Sequence, residues 1–125
     1  MSGLPLGILL RSGGHEAAHA ALLLATGAAA IGREVVLFAT GPGCHLLRHP
    51  APPAADARDA VLRARGVAGV AVLLEAAAEL GIRRIACDAG LRGELIDPAT
   101  LATGVEVAGV VTFLSAVGDG QLLSV

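Results

Sequence analysis

The chain contains no lysine, no tryptophan and no tyrosine, and its only aromatic side chains besides histidine are Phe38 and Phe113. Without lysine, the G-x-x-x-x-G-K-[ST] phosphate loop is excluded, and no G-x-G-x-x-G is present either. All nine basic residues are arginines, scattered from Arg11 to Arg92 without a basic block, and the net charge is −2. A nucleic-acid partner therefore has no electrostatic footprint here and no stacking platform. The Trp/Tyr belt of a membrane protein is missing as well. Charged residues make up only 16% against 54% hydrophobic. That balance excludes extended disorder and leaves a surface of the kind that copies of a chain cover for one another.

What is there fits one domain: 125 residues suffice for a single core and fall short of two. The longest nearly apolar run, residues 17–31, is too short for a bilayer and carries His19, Thr26 and Gly27. The N-terminal segment MSGLPLGILLRSGG lacks a positive n-region, so a signal peptide is not expected and a cytoplasmic location is. In that reducing setting, Cys44 and Cys87 are expected as free thiols, redox groups or ligands rather than as a structural disulfide.

The order of patterns along the chain is that of an α/β fold. Residues 4–10 form an apolar run too short for a helix and followed by Ser12, Gly13 and Gly14, which predicts a buried strand. An alanine- and leucine-rich run of helical length begins at His15 and is stopped by Gly32. EVVLFAT, residues 34–40, predicts a second strand from its β-branched and aromatic content. A short helical turn over 44–48 precedes HPAPPAA, where the prolines break regular structure, and 49–66 is expected to be a mobile surface loop with weakly helical character from Asp56. A helix over 70–80 closed by Gly81 and a strand over 82–87 follow. Residues 105–117 are β-rich yet longer than a usual strand, and propensity does not settle them; a last strand over 122–125 favours a preceding helix.

Such alternation predicts a parallel sheet of four or five strands with helices on both faces. Ligands of these sheets sit at the carboxyl ends of the strands, where residues 11–16, 40–45 and 87–93 should meet. Both cysteines fall in that set. Cys87 ends a strand and enters DAGLRG, where helix-end N–H groups would favour a thiolate, Arg92 would help and Asp88 would oppose. The alternative is a small buried hydrophobe.

The segments LGILLRSG, AALLLATGAAAIGREVVLFATGPGCHLLR, AAELGIRRIACDAGLRGELID and GVEVAGVVTFLSA, in that order, resemble the DsrE/DsrF-like family of small sulfur-relay proteins. The resemblance implies a flavodoxin-like, Rossmann-like parallel sheet, homo-oligomers that are trimers or hexamers, and a sulfur-carrying cysteine after an alanine, matched by Ala86 and Cys87. It implies a sulfurtransferase or sulfur carrier with donor and acceptor proteins as partners. The sequence departs from the family's pattern in Asp88, Ala89 and Gly90 after the cysteine, in the aromatic-free TGPGCH, and in the proline-containing 49–66 segment. Relay chemistry needs only thiolates exchanging sulfane sulfur, so no cofactor is expected.

Around Cys87 as the catalytic residue, the expected pocket comprises Ser12, Gly13, His15 and Cys44, the last as a resolving thiol or a passive loop cysteine. HEAAH, residues 15–19, formally matches the zinc motif H-E-x-x-H. A metallohydrolase requires a third ligand that the sequence does not supply, so the preferred reading puts His15 at the pocket rim and His19 in solvent or an interface, with no metal. A noncatalytic oligomeric module using His15, His19, Cys44, His45 and Cys87 for a metal or small ligand remains the alternative. Ser12, Gly13 and Gly14 before the first helix are a second candidate, for an anion. Arg83 and Arg84, adjacent on one strand, cannot face the same side of the sheet.

Overall fold

In the computed structural model, which describes residues 3–125, every strand of the sheet is parallel. The strands are β1 (Leu6–Leu10), β2 (Val35–Ala39), β3 (Arg83–Cys87), β4 (Glu106–Ala108) and β5 (Gln121–Ser124), in the order β4-β3-β2-β1-β5. The helices are α1 (His15–Ala30), α2 (Ala57–Ala64), α3 (Val70–Glu79), α4 (Asp88–Gly93) and α5 (Val110–Val117).

The connection order decides which face each helix covers. From β1 to β4 the chain steps across the sheet in one direction, and right-handed crossovers put the intervening helices on one side. The step from β4 back past β1 to β5 runs the other way, which puts α5 on the opposite side. The side chains agree: Phe113 of α5 stacks on Phe38 of β2 with centroids 4.8 Å apart. A side chain on Gly7 of β1 would run into Val117 and Phe113. Alternation then turns Ile8 and Leu37 to the α1/α3 side, where both are fully buried.

Two sequence-level ambiguities resolve physically. Residues 105–117 split into an edge strand and a helix, with Gly109 as the cap between them. The segment 49–66, expected as a surface loop, carries a 3-10 turn over Pro52–Ala55 and helix α2. Asp56 caps α2, accepting from the Arg58 N–H at 2.7 Å. Proline halts a regular helix but fits the first positions of a 3-10 turn, which is how structure resumes inside that stretch.

Candidate functional site

The three predicted loops do meet at the carboxyl end of the sheet, and glycines make the contact. A Cβ on Gly13 would lie 2.9 Å from the Pro42 carbonyl oxygen, so the β1–α1 loop rests on the 3-10 segment Gly41–Leu47 that follows β2. A Cβ on Gly90 would lie 2.6 Å from the Gly41 nitrogen, 2.9 Å from Cys44 Sγ and 3.4 Å from Cys87 Cβ. Both cysteines thus pack around one backbone point of α4.

The two thiols differ in kind. Cys44 is 0% exposed and its thiol donates to the Ala39 carbonyl at 3.3 Å. Burial pushes its pKa up to about 11; the Cys87 and Glu94 charges add to the rise, while backbone hydrogen bonding from Cys87 and from Cys44 itself opposes it. Cys44 is therefore a protonated donor at neutral pH. Cys87 retains 9% exposure, ends β3 and occupies the N-cap of α4 without a side-chain capping bond. Both are free thiols.

Arg92 does not turn to the sulfur. It donates to Asp88 Oδ2 at 2.8 Å, one helical turn away, so the two charges set against each other in the sequence neutralise one another on the exposed face of α4. A second charged chain ties α4 to the 3-10 segment. Arg48 Nη1 donates to His45 Nδ1 at 3.1 Å, so Nε2 carries the proton and donates to Glu94 Oε1 at 3.0 Å. This clamp holds the backbone of Gly90 against Cys44.

The other expected pocket residues lie differently. Ser12 is exposed, and its hydroxyl accepts from the Gly14 N–H at 3.1 Å. His15 is buried, and its Nε2 meets Asp59 Oδ1 at 2.8 Å instead of either thiol. Asp59, 1% exposed, also accepts from the Val70 N–H at 2.9 Å and from Arg63 Nε at 3.1 Å. Burial alone would raise the Asp59 pKa, but the bonds from His15, Val70 and Arg63 outweigh it and hold the carboxyl below its ordinary value. His19, expected in solvent or an interface, is buried within the chain: it stacks on His15 with centroids 5.5 Å apart and donates Nε2–H to the Ala68 carbonyl at 2.9 Å.

In HEAAH, the Nε2 atoms of both histidines are thus engaged with α2 and the segment before α3. Among the described residues, no three His, Cys, Asp or Glu side chains are grouped to hold a metal. Three residues that matter here were not singled out from the sequence, and Gly90 was noted only as a departure from the family's pattern. Arg48 and Glu94 left no local signal, nor did Gly90 beyond its place in a glycine-containing loop. Asp59 left only an i,i+4 pairing with Arg63.

The model of the DsrE/DsrF-like family matches residues 6–124, from the first strand into the last. The chain belongs to the DsrE/DsrF-like family. Among solved structures, this DsrE/DsrF-like chain is similar to the ychN protein from E. coli, with a TM-score of 0.77 at 15% identity, covering 98% of this chain and 100% of the other. It is also similar to the protein of unknown function MTH1491 from Methanobacterium thermoautotrophicum, with a TM-score of 0.65 at 16% identity and the same coverages. At those identities the likeness is one of fold, and it supports the flavodoxin-like reading of the DsrE/DsrF-like sheet. No curated protein matches the sequence.

Proposed function

We propose that this DsrE/DsrF-like protein is a sulfur carrier in which Cys87 is the acceptor thiol. One observation carries the reading: of two cysteines packed on Gly90, Cys87 alone keeps exposed surface, at the strand end where ligands of parallel sheets are met. The Cys87 thiolate attacks the outer sulfur of a donor persulfide R–S–SH, the S–S bond breaks, and R–S⁻ leaves; Cys87 now holds –S–SH. An acceptor thiolate then attacks that outer sulfur, and the Cys87 thiolate is released. Each step is an exchange without net oxidation. Cys44, buried and protonated, is a wall of the site and a neutral neighbour to the persulfide rather than a second nucleophile.

Family membership further supports a homo-oligomer, a trimer or hexamer, acting with donor and acceptor proteins; a cytoplasmic location belongs to the same proposal. None of the described helices is long and apolar enough to cross a membrane. Exposed Val110, Val111 and Leu114 on α5, with Leu23 and Leu24 on α1, are the apolar surface such an assembly would cover.

Loading with glutathione persulfide followed by intact-mass measurement tests the reading. The expected result is a gain of one sulfur atom in wild type and in Cys44→Ala, absent in Cys87→Ser and discharged by an excess of small thiol. Equal sulfur uptake by Cys87→Ser, or none by the folded wild type, would overturn it.

A further inference from the structure

A cavity of about 500 Å³ lies on the α3 side of the sheet, away from the thiols: neither cysteine lines it. Its walls are mostly aliphatic, with Leu46 and Leu47 on one side, Leu74 and Ala78 of α3 on another, and Leu101 and Val105 on a third. The chain segments around it are pinned by backbone bonds, His49 N–H to the Thr100 carbonyl at 2.9 Å and Ala102 N–H to the Leu47 carbonyl at 2.9 Å. This is the size and lining of small-ligand pockets in general.

Its charge is mainly basic. Arg48 and Arg84 line it against a single carboxylate, the exposed Glu75, which forms no ion pair with either. Arg48 is already committed to His45. Arg84 is not: its Nε is buried with no hydrogen-bond partner, and its Nη2 reaches only the Thr103 carbonyl, at 3.4 Å. Arg83, its neighbour in sequence, faces the other side and forms a bidentate pair with Glu106 at 2.7 and 2.9 Å. The Nε is closed off from the cavity, so what Arg84 offers a ligand is its Nη groups, whose charge no carboxylate of the chain neutralises.

We propose that this cavity is a binding site for an aliphatic carboxylate, the carboxylate accepting from Arg84 and the chain lying along Leu46, Leu74 and Leu101. An inorganic anion would satisfy the guanidinium and leave the apolar walls wet. An uncharged alkyl chain would fill the walls and leave the Arg84 guanidinium with only its long bond to the Thr103 carbonyl. Only a molecule with both parts answers both features. Gly104, with φ of +88°, gives Arg84 its place: a Cβ there would lie 2.8 Å from Nη2.

The test is titration of the full chain with octanoate, 1-octanol and sulfate, followed by amide chemical shifts and calorimetry. Octanoate is expected to saturate at one molecule per chain and to shift amides at the cavity walls. 1-Octanol should bind about tenfold or more weakly, the loss of a charge-assisted pair, and sulfate weaker still. Arg84→Met should lower octanoate affinity to that of 1-octanol. Ala78→Trp, on an exposed position of α3, should block binding by filling the space while leaving the melting temperature near wild type. No saturable octanoate binding, equal binding of octanoate by Arg84→Met, or sulfate binding as tight as octanoate would each overturn the proposal. So would shifts that report self-association of the chain at these residues instead of ligand uptake.

Discussion

Gly90 and Cys44 pack so closely that a methyl group on the glycine would sit 2.9 Å from the cysteine sulfur. At an exposed helix position, Gly→Ala stabilises by up to about 1 kcal/mol through helix propensity. Here the sign should reverse, because the new carbon would also lie 2.6 Å from the Gly41 backbone nitrogen, a contact that only a backbone shift relieves. Gly90→Ala is expected to cost about 1–3 kcal/mol, the usual range for overpacking. Urea unfolding reads that loss, and the alkylation rate of Cys87 should change with it, since Cys87 Cβ lines the same point. A neutral or stabilising result would show that α4 is free to lift from Cys44.

The thiol of Cys44 predicts an alkaline limb. Its folded pKa is raised from 9.0 to about 11, so between those values the folded chain binds a proton that the unfolded chain has lost. The stability from this group is fully present below pH 9 and is lost as pH rises through the folded value. Roughly 2–3 kcal/mol is at stake for a difference of that size. In a Cys87→Ser background, iodoacetamide should modify Cys44 at a rate that keeps climbing to about pH 11, where an open thiol levels off near ~8.5. Cys44→Ala should flatten the alkaline slope of stability whatever its effect at pH 7. An alkylation profile that levels off at the ordinary thiol value would contradict the burial assigned to Cys44.

Phe113 carries the attachment of α5. It is 1% exposed and lies parallel to Phe38 within 10°, and Gly7 has no side chain because Phe113 and Val117 take that space. Truncation to alanine is expected to cost about 3–5 kcal/mol, as for other buried aromatics. Thermal unfolding at fixed protein concentration measures it. Since α5 lies across the sheet from α1 and α3, the variant should leave octanoate binding intact where it still folds.

How much of this was legible in the sequence follows from what each signal depends on. Strands β1 and β2 announced themselves through contiguous apolar or β-branched runs and β3, despite its two arginines, through its place after the helix closed by Gly81; the loops they deliver to the site followed from parallel topology. The family pattern, read in order, gave the fold without any single strong motif. The edge strand Glu106–Ala108 was not separable from α5, because both draw on the same β-rich composition and only Gly109 divides them. The histidines were misplaced for a different reason. HEAAH is visible as spacing, but what His15 and His19 touch is set by Asp59 and Ala68, 44 and 49 residues away, and spacing along α1 carries no information about them. Likewise the Arg48–His45–Glu94 clamp joins an i,i+3 pair to a residue 49 positions downstream.

Asp59 supplies the acid counterpart to Cys44. Its carboxyl is held below the ordinary value although burial pulls the other way, because His15, the Val70 N–H and Arg63 all donate to it. The sign is therefore opposite to that of Cys44: the unfolded chain takes up the proton first, near pH ~3.9, and the stability held by the charged form is present above that value and lost as pH falls through the folded one. Asp59→Asn keeps the shape and removes the charge, leaving one side-chain oxygen to serve three donors in an almost solvent-free site. The expected loss at pH 7 is about 2–4 kcal/mol, in the range for breaking a buried charge-assisted network. Urea unfolding of wild type and variant at pH 7 and again near pH 3 gives the answer: the gap should narrow on acidification, because the wild type surrenders what the variant never had. A gap that stays constant with pH would mean that the cost comes from packing and that the Asp59 charge contributes nothing.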